Sequence, residues 1–245
     1  MDDIIIGKNS VYEALEGGRS FQKIYMLAGR KNGGLKEIYD KAKRKGIPIQ
    51  EVSEQALQKI AGPGRHQGVA GAVAPIRFWE MEEVLEAAFA KTDSPVLVLL
   101  DGIEDVHNAG AIIRTAECAG ADGILLPKRH AVPMNQTVAK TSAGALEHMP
   151  IVQIGNIVQE LKKLKKLGFW VVGTDMDGEI EYYDASLKEP TVIVIGSEGK
   201  GMSRLTRENC DMLVRIPMFG RVNSLNASVA AALILYETVR QRRQK

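Results

Sequence analysis

Three stretches of the chain place polar side chains in a glycine-containing loop between an apolar run and a helical pattern. They are residues 108–121, 193–202 and 215–240. Backbone amides and carbonyls in such loops can recognise a ligand with little demand on side-chain identity. In the third stretch Asn226 could also cap the following helix, because its side-chain oxygen can accept from a free amide of the first turn. Taken alone, this stretch is equally typical of an amphipathic C-terminal helix after a polar turn.

The glycine-rich loop Gly196–Gly201 occurs late in the chain, after the apolar run that ends at Ile195. A nicotinamide site would place G-x-G-x-x-G after an early strand, and a nucleoside triphosphate site would need G-x-x-x-x-G-K followed by Ser or Thr. The sequence contains neither pattern. A doubly wound oxidoreductase is therefore a remote alternative.

Composition narrows the class of protein without identifying it. The 245 residues suffice for one large domain or two modest ones, and the net charge of +2 does not by itself indicate a nucleic-acid binder. Basic runs such as residues 41–45 are usually solvated helix faces, although they can contact phosphates. Cys118 and Cys210 are isolated and the four histidines lack ligand spacing. We expect a cytoplasmic protein with no metal and no membrane association.

The pattern of apolar runs predicts an α/β protein of two parts. Residues 1–75 predict a small α/β unit, residues 76–94 a linker that contains a helix from Met81 to Ala90, and residues 95–245 a second, larger domain. In that domain continuous apolar runs alternate with helical stretches. This alternation is typical of a parallel sheet with helices on both faces.

A turn in the first unit, Gly62–Gly68, carries Arg65, His66 and Gln67 in a row. It could be a surface loop with polar side chains. It could also contact RNA, since arginine and backbone amides in a glycine-rich turn suit phosphates and exposed base edges.

Taken together and in this order, the three polar loops resemble the signature motifs of the SpoU/TrmH branch of the SPOUT RNA methyltransferases. The resemblance covers roughly residues 96–239. It implies transfer of a methyl group from S-adenosylmethionine to a ribose 2′-hydroxyl in RNA. It also implies a deep trefoil knot in the C-terminal domain, an exception to the rule that chains are not threaded, and a homodimer. The first unit, less specifically, resembles the L30e-like substrate-binding domain of one SpoU subgroup.

The resemblance assigns roles to particular residues. The catalytic positions of the family fall on Asn108, Arg114, Glu198, Ser224 and Asn226. Arg114 would orient the RNA and stabilise charge rather than act as a base, since a guanidinium resists deprotonation in proteins. The alternative for Arg114 is a surface ion pair with Glu117, and we expect its helix to begin near Gly110.

Methyl-donor contacts are implied for a larger set of positions. These are Gly173, Thr174, Gly196, Gly199, Gly201, Ile216, Met218, Ser224, Leu225 and Asn226. RNA contacts are expected at Arg65, His66, Gln67 and Arg114.

With an L30e-like first domain, the chain looks most like an enzyme that modifies a guanosine in the peptidyl-transferase loop of 23S rRNA. The alternatives are a tRNA ribose 2′-O-methyltransferase and a catalytically silent RNA-binding or ribosome-assembly factor with the same fold. The presence of Arg114, Glu198, Ser224 and Asn226 argues against the silent factor.

Overall fold

The computed structural model describes residues 3–29, 33–62, 64–74 and 76–243. The chain divides into two compact units, Met1–Ile76 and Arg77–Lys245. The resemblance to the SpoU/TrmH motifs implies a knot in the second unit. The strand pairings do not test the knot, and it stays a prediction.

The first unit contains a four-stranded mixed sheet in the order β1-β4-β2-β3. Strand β1 pairs antiparallel with β4, β4 antiparallel with β2, and β2 parallel with β3. Its elements are β1 (Asp3–Ile6), α1 (Lys8–Glu16), β2 (Phe21–Leu27), α2 (Gly34–Arg44), β3 (Ile49–Val52), α3 (Glu54–Ala61) and β4 (Val69–Val73).

Helices cover both faces of the first sheet. Successive side chains of a strand point to opposite faces, so residues of β2 show which helix packs on each face. On β2, Ile24 packs into a cluster with Val11 of α1 and Ile38 of α2. Leu27 packs instead into a second cluster with Leu57 of α3. Helices α1 and α2 therefore cover one face, and α3 covers the other.

The second unit contains a seven-stranded sheet in the order β7-β6-β5-β10-β8-β11-β9. Every pairing in it is parallel. Its elements are α4 (Met81–Lys91), β5 (Val96–Asp101), α5 (Val106–Cys118), β6 (Gly123–Pro127), α6 (Gln136–Thr141), a 3-10 turn (Ala145–Glu147), β7 (Ile151–Ile154), α7 (Ile157–Lys166), β8 (Trp170–Thr174), β9 (Ile180–Glu181), β10 (Thr191–Gly196), α8 (Arg204–Glu208), β11 (Met212–Arg215) and α9 (Ala227–Arg243).

Helices cover both faces of this sheet, as the continuous apolar runs predicted. Leu99 of β5 and Val194 of β10 pack with Val84 of α4 and Leu161 of α7. Helices α5 and α9 pack against each other, and α9 also packs on β10. All residues of β5, and those of β10 from Thr191 to Ile195, are buried, so both faces of these two strands are covered. Helices α5 and α9 therefore cover the second face.

The segment expected as a linker, residues 76–94, is largely part of the second unit. Met81, Val84 and Ala88 of α4 are buried, and the Phe89 ring makes an edge-to-face contact with Phe169 at 5.7 Å between centroids. The Trp79 amide donates to the Ile151 carbonyl at 2.8 Å. The helix was predicted, but its apolar face holds it to the sheet.

Candidate active site

The carboxyl ends of β8, β10 and β11 border a cavity of about 380 Å³. Because the strands are parallel and in register, Gly196 lies level with Asp101, and the loops that follow these strands all leave at one edge of the sheet. Residues of four segments line the cavity: Thr174 to Asp177, Ile195 to Met202 with Arg204 and Arg207, Val214 with Ile216 and Met218, and Asn223 to Leu225 with Ala227 and Ala230.

The loop after β10 folds back on itself because its glycines permit close backbone contact. Ser197 and Gly201 exchange two backbone hydrogen bonds of 3.0 and 2.9 Å. A Cβ atom on Gly196 would lie 2.4 Å from the Gly201 carbonyl carbon and from the Met202 nitrogen. Gly199 and Gly201 have φ of 78° and 65°, which glycine adopts readily.

A buried carboxylate fixes the end of this loop. The Asp101 Oδ2 atom accepts a hydrogen bond of 2.7 Å from the Ser203 amide. Asp101 is the last residue of β5, and only 8% of its surface is exposed. The contact links the neighbouring strands β5 and β10 at the edge where the cavity opens.

Asn108, Glu198 and Asn226 form one hydrogen-bonded network beside the cavity. The Glu198 Oε1 atom accepts from Asn108 Nδ2 at 3.0 Å, from Asn226 Nδ2 at 2.5 Å and from the Ala227 amide at 3.1 Å. Asn226 Nδ2 also lies 2.8 Å from Asn108 Oδ1. The network joins α5, the loop after β10 and the start of α9.

Local sequence places each member of this network. The Asp105 Oδ1 atom accepts from the amides of His107 and Asn108 at 3.0 and 2.8 Å, which caps α5. Asn226 Oδ1 accepts from the Ser228 amide at 3.0 Å, so Asn226 caps α9 as predicted and joins the network through its other side-chain atom.

Arg114 lies outside the network, with its side chain exposed on α5. Since α5 begins at Val106 rather than near Gly110, Arg114 is more than two turns from the start of the helix. The alternative ion pair with Glu117 does not form, and within the described part of the chain the Arg114 guanidinium has no hydrogen bond or ion pair. It is thus available to an external anion.

The cavity wall carries charges of both signs. Arg207 Nε lies 3.1 Å from Asp175 Oδ2, yet it lacks a hydrogen bond of good geometry within the described part of the chain.

The thiol of Cys210, which lies beside Gly173, is partly buried, and this burial raises its pKa to about 12. Cys210 is therefore protonated at neutral pH and is not a candidate nucleophile.

Two protein-family models match the chain, one in each unit. The SpoU rRNA Methylase family matches residues 95–236. The domain described as RNA 2′-O ribose methyltransferase substrate binding matches residues 4–79. The chain belongs to the SpoU/TrmH family of RNA methyltransferases. Members of this family use S-adenosylmethionine as the methyl donor.

Known SpoU/TrmH proteins resemble the chain over most of its length. A putative TrmH family tRNA/rRNA methyltransferase from Bacillus subtilis, YacO, is 44% identical over 98% of this chain and 96% of its own. The structure of an AdoMet-bound rRNA methyltransferase from Sinorhizobium meliloti matches with a TM-score of 0.69 and 25% identity, over 97% of this chain and 86% of its own. A TrmH/SpoU tRNA modifying enzyme from A. aeolicus matches with a TM-score of 0.57 and 30% identity, over 66% of this chain and 84% of its own.

Eight of the ten positions that the SpoU/TrmH resemblance assigned to the methyl donor line the cavity. They are Thr174, Gly196, Gly199, Gly201, Ile216, Met218, Ser224 and Leu225. Asn226 faces the network with Glu198 instead. Gly173 does not line the cavity, because Cys210 and Met202 occupy the space beside it: a Cβ there would lie 2.7 Å from the Cys210 sulfur. Gly173 therefore has a packing role.

Sequence reasoning missed several cavity residues, among them Asp175, Arg204 and Arg207. Asp175 directly follows the last residue of β8. A polar residue at the carboxyl end of a parallel strand was a usable signal. The arginines on α8 had no comparable signal.

In the first unit, residues 64–68 of the glycine-rich loop are only partly available to RNA. His66 is 7% exposed: its Nδ1 accepts from the Gly68 amide at 3.1 Å, and its Nε2 lies 3.5 Å from Glu54 Oε1. Gln67 Oε1 accepts from the Lys8 amide at the start of α1. The ring is thus buried in this conformation, and the expected RNA contact by His66 stays a prediction. Arg65 is exposed.

Within the described residues, no group of three or more His, Cys, Asp or Glu side chains is placed to hold a metal ion. No helix in the same ranges is long and apolar enough to cross a membrane.

Proposed function

We propose that this SpoU/TrmH protein methylates the ribose 2′-hydroxyl of a guanosine in the peptidyl-transferase loop of 23S rRNA. The observation that carries the proposal is the pairing of the cavity and its Asn108–Glu198–Asn226 network with a first unit of the RNA 2′-O ribose methyltransferase substrate-binding type. The chemistry belongs to the second unit, and the choice of RNA to the first.

The cavity fits S-adenosylmethionine. Its volume is in the range of small-molecule sites, roughly 300–1,000 Å³. Because Gly196 has no side chain, the backbone of Gly201 and Met202 can lie directly against Gly196. Ligand contacts would come from Thr174, Met218 and Leu225. Mixed charges on the wall, Asp175 beside Arg207, suit a zwitterionic amino-acid moiety. When bound, this donor supplies an electrophilic methyl group.

Each polar residue then has a distinct role. Glu198 holds Asn108 and Asn226 and so fixes the loop after β10 against α5 and α9. Ser224, which is exposed and lines the cavity, can hydrogen-bond the ribose. Arg114 pairs with the phosphate beside the target ribose and stabilises negative charge that develops on the 2′-oxygen. Alignment of these groups is the main contribution of the protein.

A tRNA substrate is the second candidate, since the curated relative from Bacillus subtilis is named for tRNA and rRNA alike. Coverage favours rRNA. The tRNA modifying enzyme from A. aeolicus leaves a third of this chain without a counterpart, a share close to the size of the first unit, whereas the rRNA methyltransferase from Sinorhizobium meliloti covers 97%.

The active form that we propose is a homodimer. The Ala-rich face of α9 is explained within the chain, because Ala227 and Ala231 are buried and α9 packs on α5. Another face remains open: Val229 and Tyr236 are 46% and 51% exposed and border a shallow surface with Tyr182. A second copy of the chain would cover this apolar surface.

The test is methyl transfer from labelled S-adenosylmethionine to unmodified, protein-free 23S rRNA, with bulk tRNA in parallel. We expect label in rRNA at one alkali-resistant ribose, and a dimer by light scattering. Label in tRNA alone would overturn the rRNA assignment and keep the chemistry. Absence of donor binding would overturn the enzymatic function.

A further inference from the structure

A basic segment that the family motifs do not include, Lys128–His130, directly follows β6. Lys128, Arg129 and His130 are all exposed. Within the described part of the chain, none of their side chains has a hydrogen bond or an ion pair. Three consecutive basic side chains are therefore presented to solvent without an internal partner.

Backbone hydrogen bonds hold the start of this segment to β7 and the residues after it to the loop that follows β5. The Lys128 amide donates to the Ile154 carbonyl at 3.0 Å, and the Val132 amide donates to the Ile103 carbonyl at 2.9 Å. Ile103 is 3% exposed and lies two positions before Asp105, the residue that caps α5 ahead of Asn108. The basic segment is thus tied to the loop that carries the first member of the polar network.

Sheet geometry sets the distance from the segment to the site. Strand β6 is separated from β10 only by β5, and all three strands are parallel. Neighbouring strands lie about 4.8 Å apart, so the ends of β6 and β10 are separated by about 10 Å at one edge. One strand of a nucleic acid places a phosphate every ~3.4 Å along a helix axis, so this separation corresponds to a few nucleotides.

Neither of the two acidic residues just before α5, Glu104 and Asp105, forms an ion pair with the segment among the described residues. Asp105 Oδ1 is engaged by two amides of α5, and Glu104, although exposed, forms no ion pair with Lys128, Arg129 or His130. The positive charge remains directed to solvent at the edge where RNA must approach.

We propose that Lys128 and Arg129, with His130 beside them, bind phosphates of the RNA strand next to the target nucleotide. The inference rests on the proposed function, RNA methylation at the adjacent cavity, and adds a second contact region on the catalytic unit itself. Phosphate contacts fix the position and orientation of a nucleic acid without reading its sequence. The segment would orient the substrate strand so that the ribose meets Ser224 and Arg114.

The test compares two variants of the full-length protein that lose the same charge. The first is Lys128→Gln/Arg129→Gln. The control is Lys162→Gln/Lys166→Gln on α7, where both side chains are exposed. The C-terminal end of α7 leads to the start of β8, so the control lies towards the amino ends of the strands, away from the cavity. Binding to an unmodified 23S rRNA fragment and to bulk tRNA is measured between low and physiological salt. Methyl transfer, donor affinity and mass by light scattering are measured alongside.

For the first variant, RNA affinity should fall roughly ten-fold, and the slope of log affinity against log salt should decrease by about one for each lost contact. Donor affinity and oligomeric state should be unchanged. The control variant and the charge-conserving Lys128→Arg/Arg129→Lys should behave as wild type.

Wild-type RNA affinity and salt slope in the first variant, or an equal loss in the control, would overturn the inference. So would a change of oligomeric state in the first variant, because it would place the segment in a protein interface. Failure of the proposed function is a separate result, namely that the wild type transfers no methyl group to either RNA.

Discussion

Asn108 and Asn226 are 118 residues apart in the chain and are joined by a hydrogen bond of 2.8 Å between Asn226 Nδ2 and Asn108 Oδ1. Both also donate to the same Glu198 oxygen. Three segments that enclose one edge of the sheet therefore share a single carboxylate. This relationship makes the site sensitive to changes that leave the core of the protein intact.

Asn226→Ser should separate the two roles of Asn226. Serine is a good helix cap, so α9 keeps an acceptor for its first turn, but the amide that donates to Asn108 and Glu198 is lost. We expect the free energy of unfolding to stay within about 0.5 kcal/mol of wild type, and methyl transfer to fall at least ten-fold. Urea unfolding and single-turnover transfer measure the two effects.

The matched control for this substitution is Asn156→Ser. Asn156 Oδ1 caps α7 by accepting from the Gln159 amide at 3.0 Å, and Asn156 does not line the cavity. It should leave transfer unchanged. Methyl transfer by Asn226→Ser at the wild-type rate would show that the network does not contribute to catalysis.

Arg114→Ala should abolish transfer and leave donor binding largely intact. The guanidinium is exposed and has no partner within the described part of the chain, so its removal breaks no internal contact. Loss of a group that stabilises developing charge typically costs about 100- to 1,000-fold in rate. Donor affinity by calorimetry and transfer rate at saturating RNA measure the two properties.

Glu117→Gln, on the same helix, is the control for Arg114→Ala and should retain activity, since the pair with Arg114 is absent. Transfer by Arg114→Ala at a rate near that of wild type would remove Arg114 from the mechanism.

Gly196→Ala should prevent donor binding. The new Cβ would lie 2.4 Å from backbone atoms of Gly201 and Met202, which cannot move without opening the loop after β10. Gly155→Ala is the control: its Cβ would meet no atom within 4 Å, and its φ is not in the left-handed region. Calorimetric titration with S-adenosylmethionine should show no binding for the first variant and normal binding for the second. Normal binding by both would mean that the donor does not depend on this loop.

The sequence predicts elements better than it predicts contacts. The start of α4 at Met81 agrees with prediction, because apolar side chains that define the helix, Met81, Val84 and Ala88, are the ones buried. Strand β1 was missed, since four residues give too short a pattern. The start of α5 was placed at Gly110, although Asp105 was available as a cap.

Contacts across the chain depend on tertiary structure that spacing does not contain. Only the family resemblance grouped Asn108, Glu198 and Asn226, and it could not show that one Glu198 oxygen accepts from both amides. His66 illustrates the converse. A polar residue in a glycine-rich loop was expected to be exposed, but the ring is buried, with Nδ1 accepting from the Gly68 amide and Nε2 lying 3.5 Å from Glu54 Oε1.

The two cysteines should differ sharply in reactivity. Burial raises the pKa of Cys210 from 9.0 to about 12, whereas Cys118 is exposed. Since the thiolate is the reactive form, iodoacetamide at pH 8 should label Cys118 in the folded protein and reach Cys210 only after unfolding. The pKa is higher in the folded than in the unfolded state. The Cys210 thiol therefore contributes stability below about pH 9 that is lost as the pH rises towards 12.

Peptide mapping by mass spectrometry, with Cys118→Ser as the control, tests the difference in labelling between the two cysteines. Rapid labelling of Cys210 in the native protein would mean that the region beneath the cavity, where Cys210 packs beside Gly173, opens in solution.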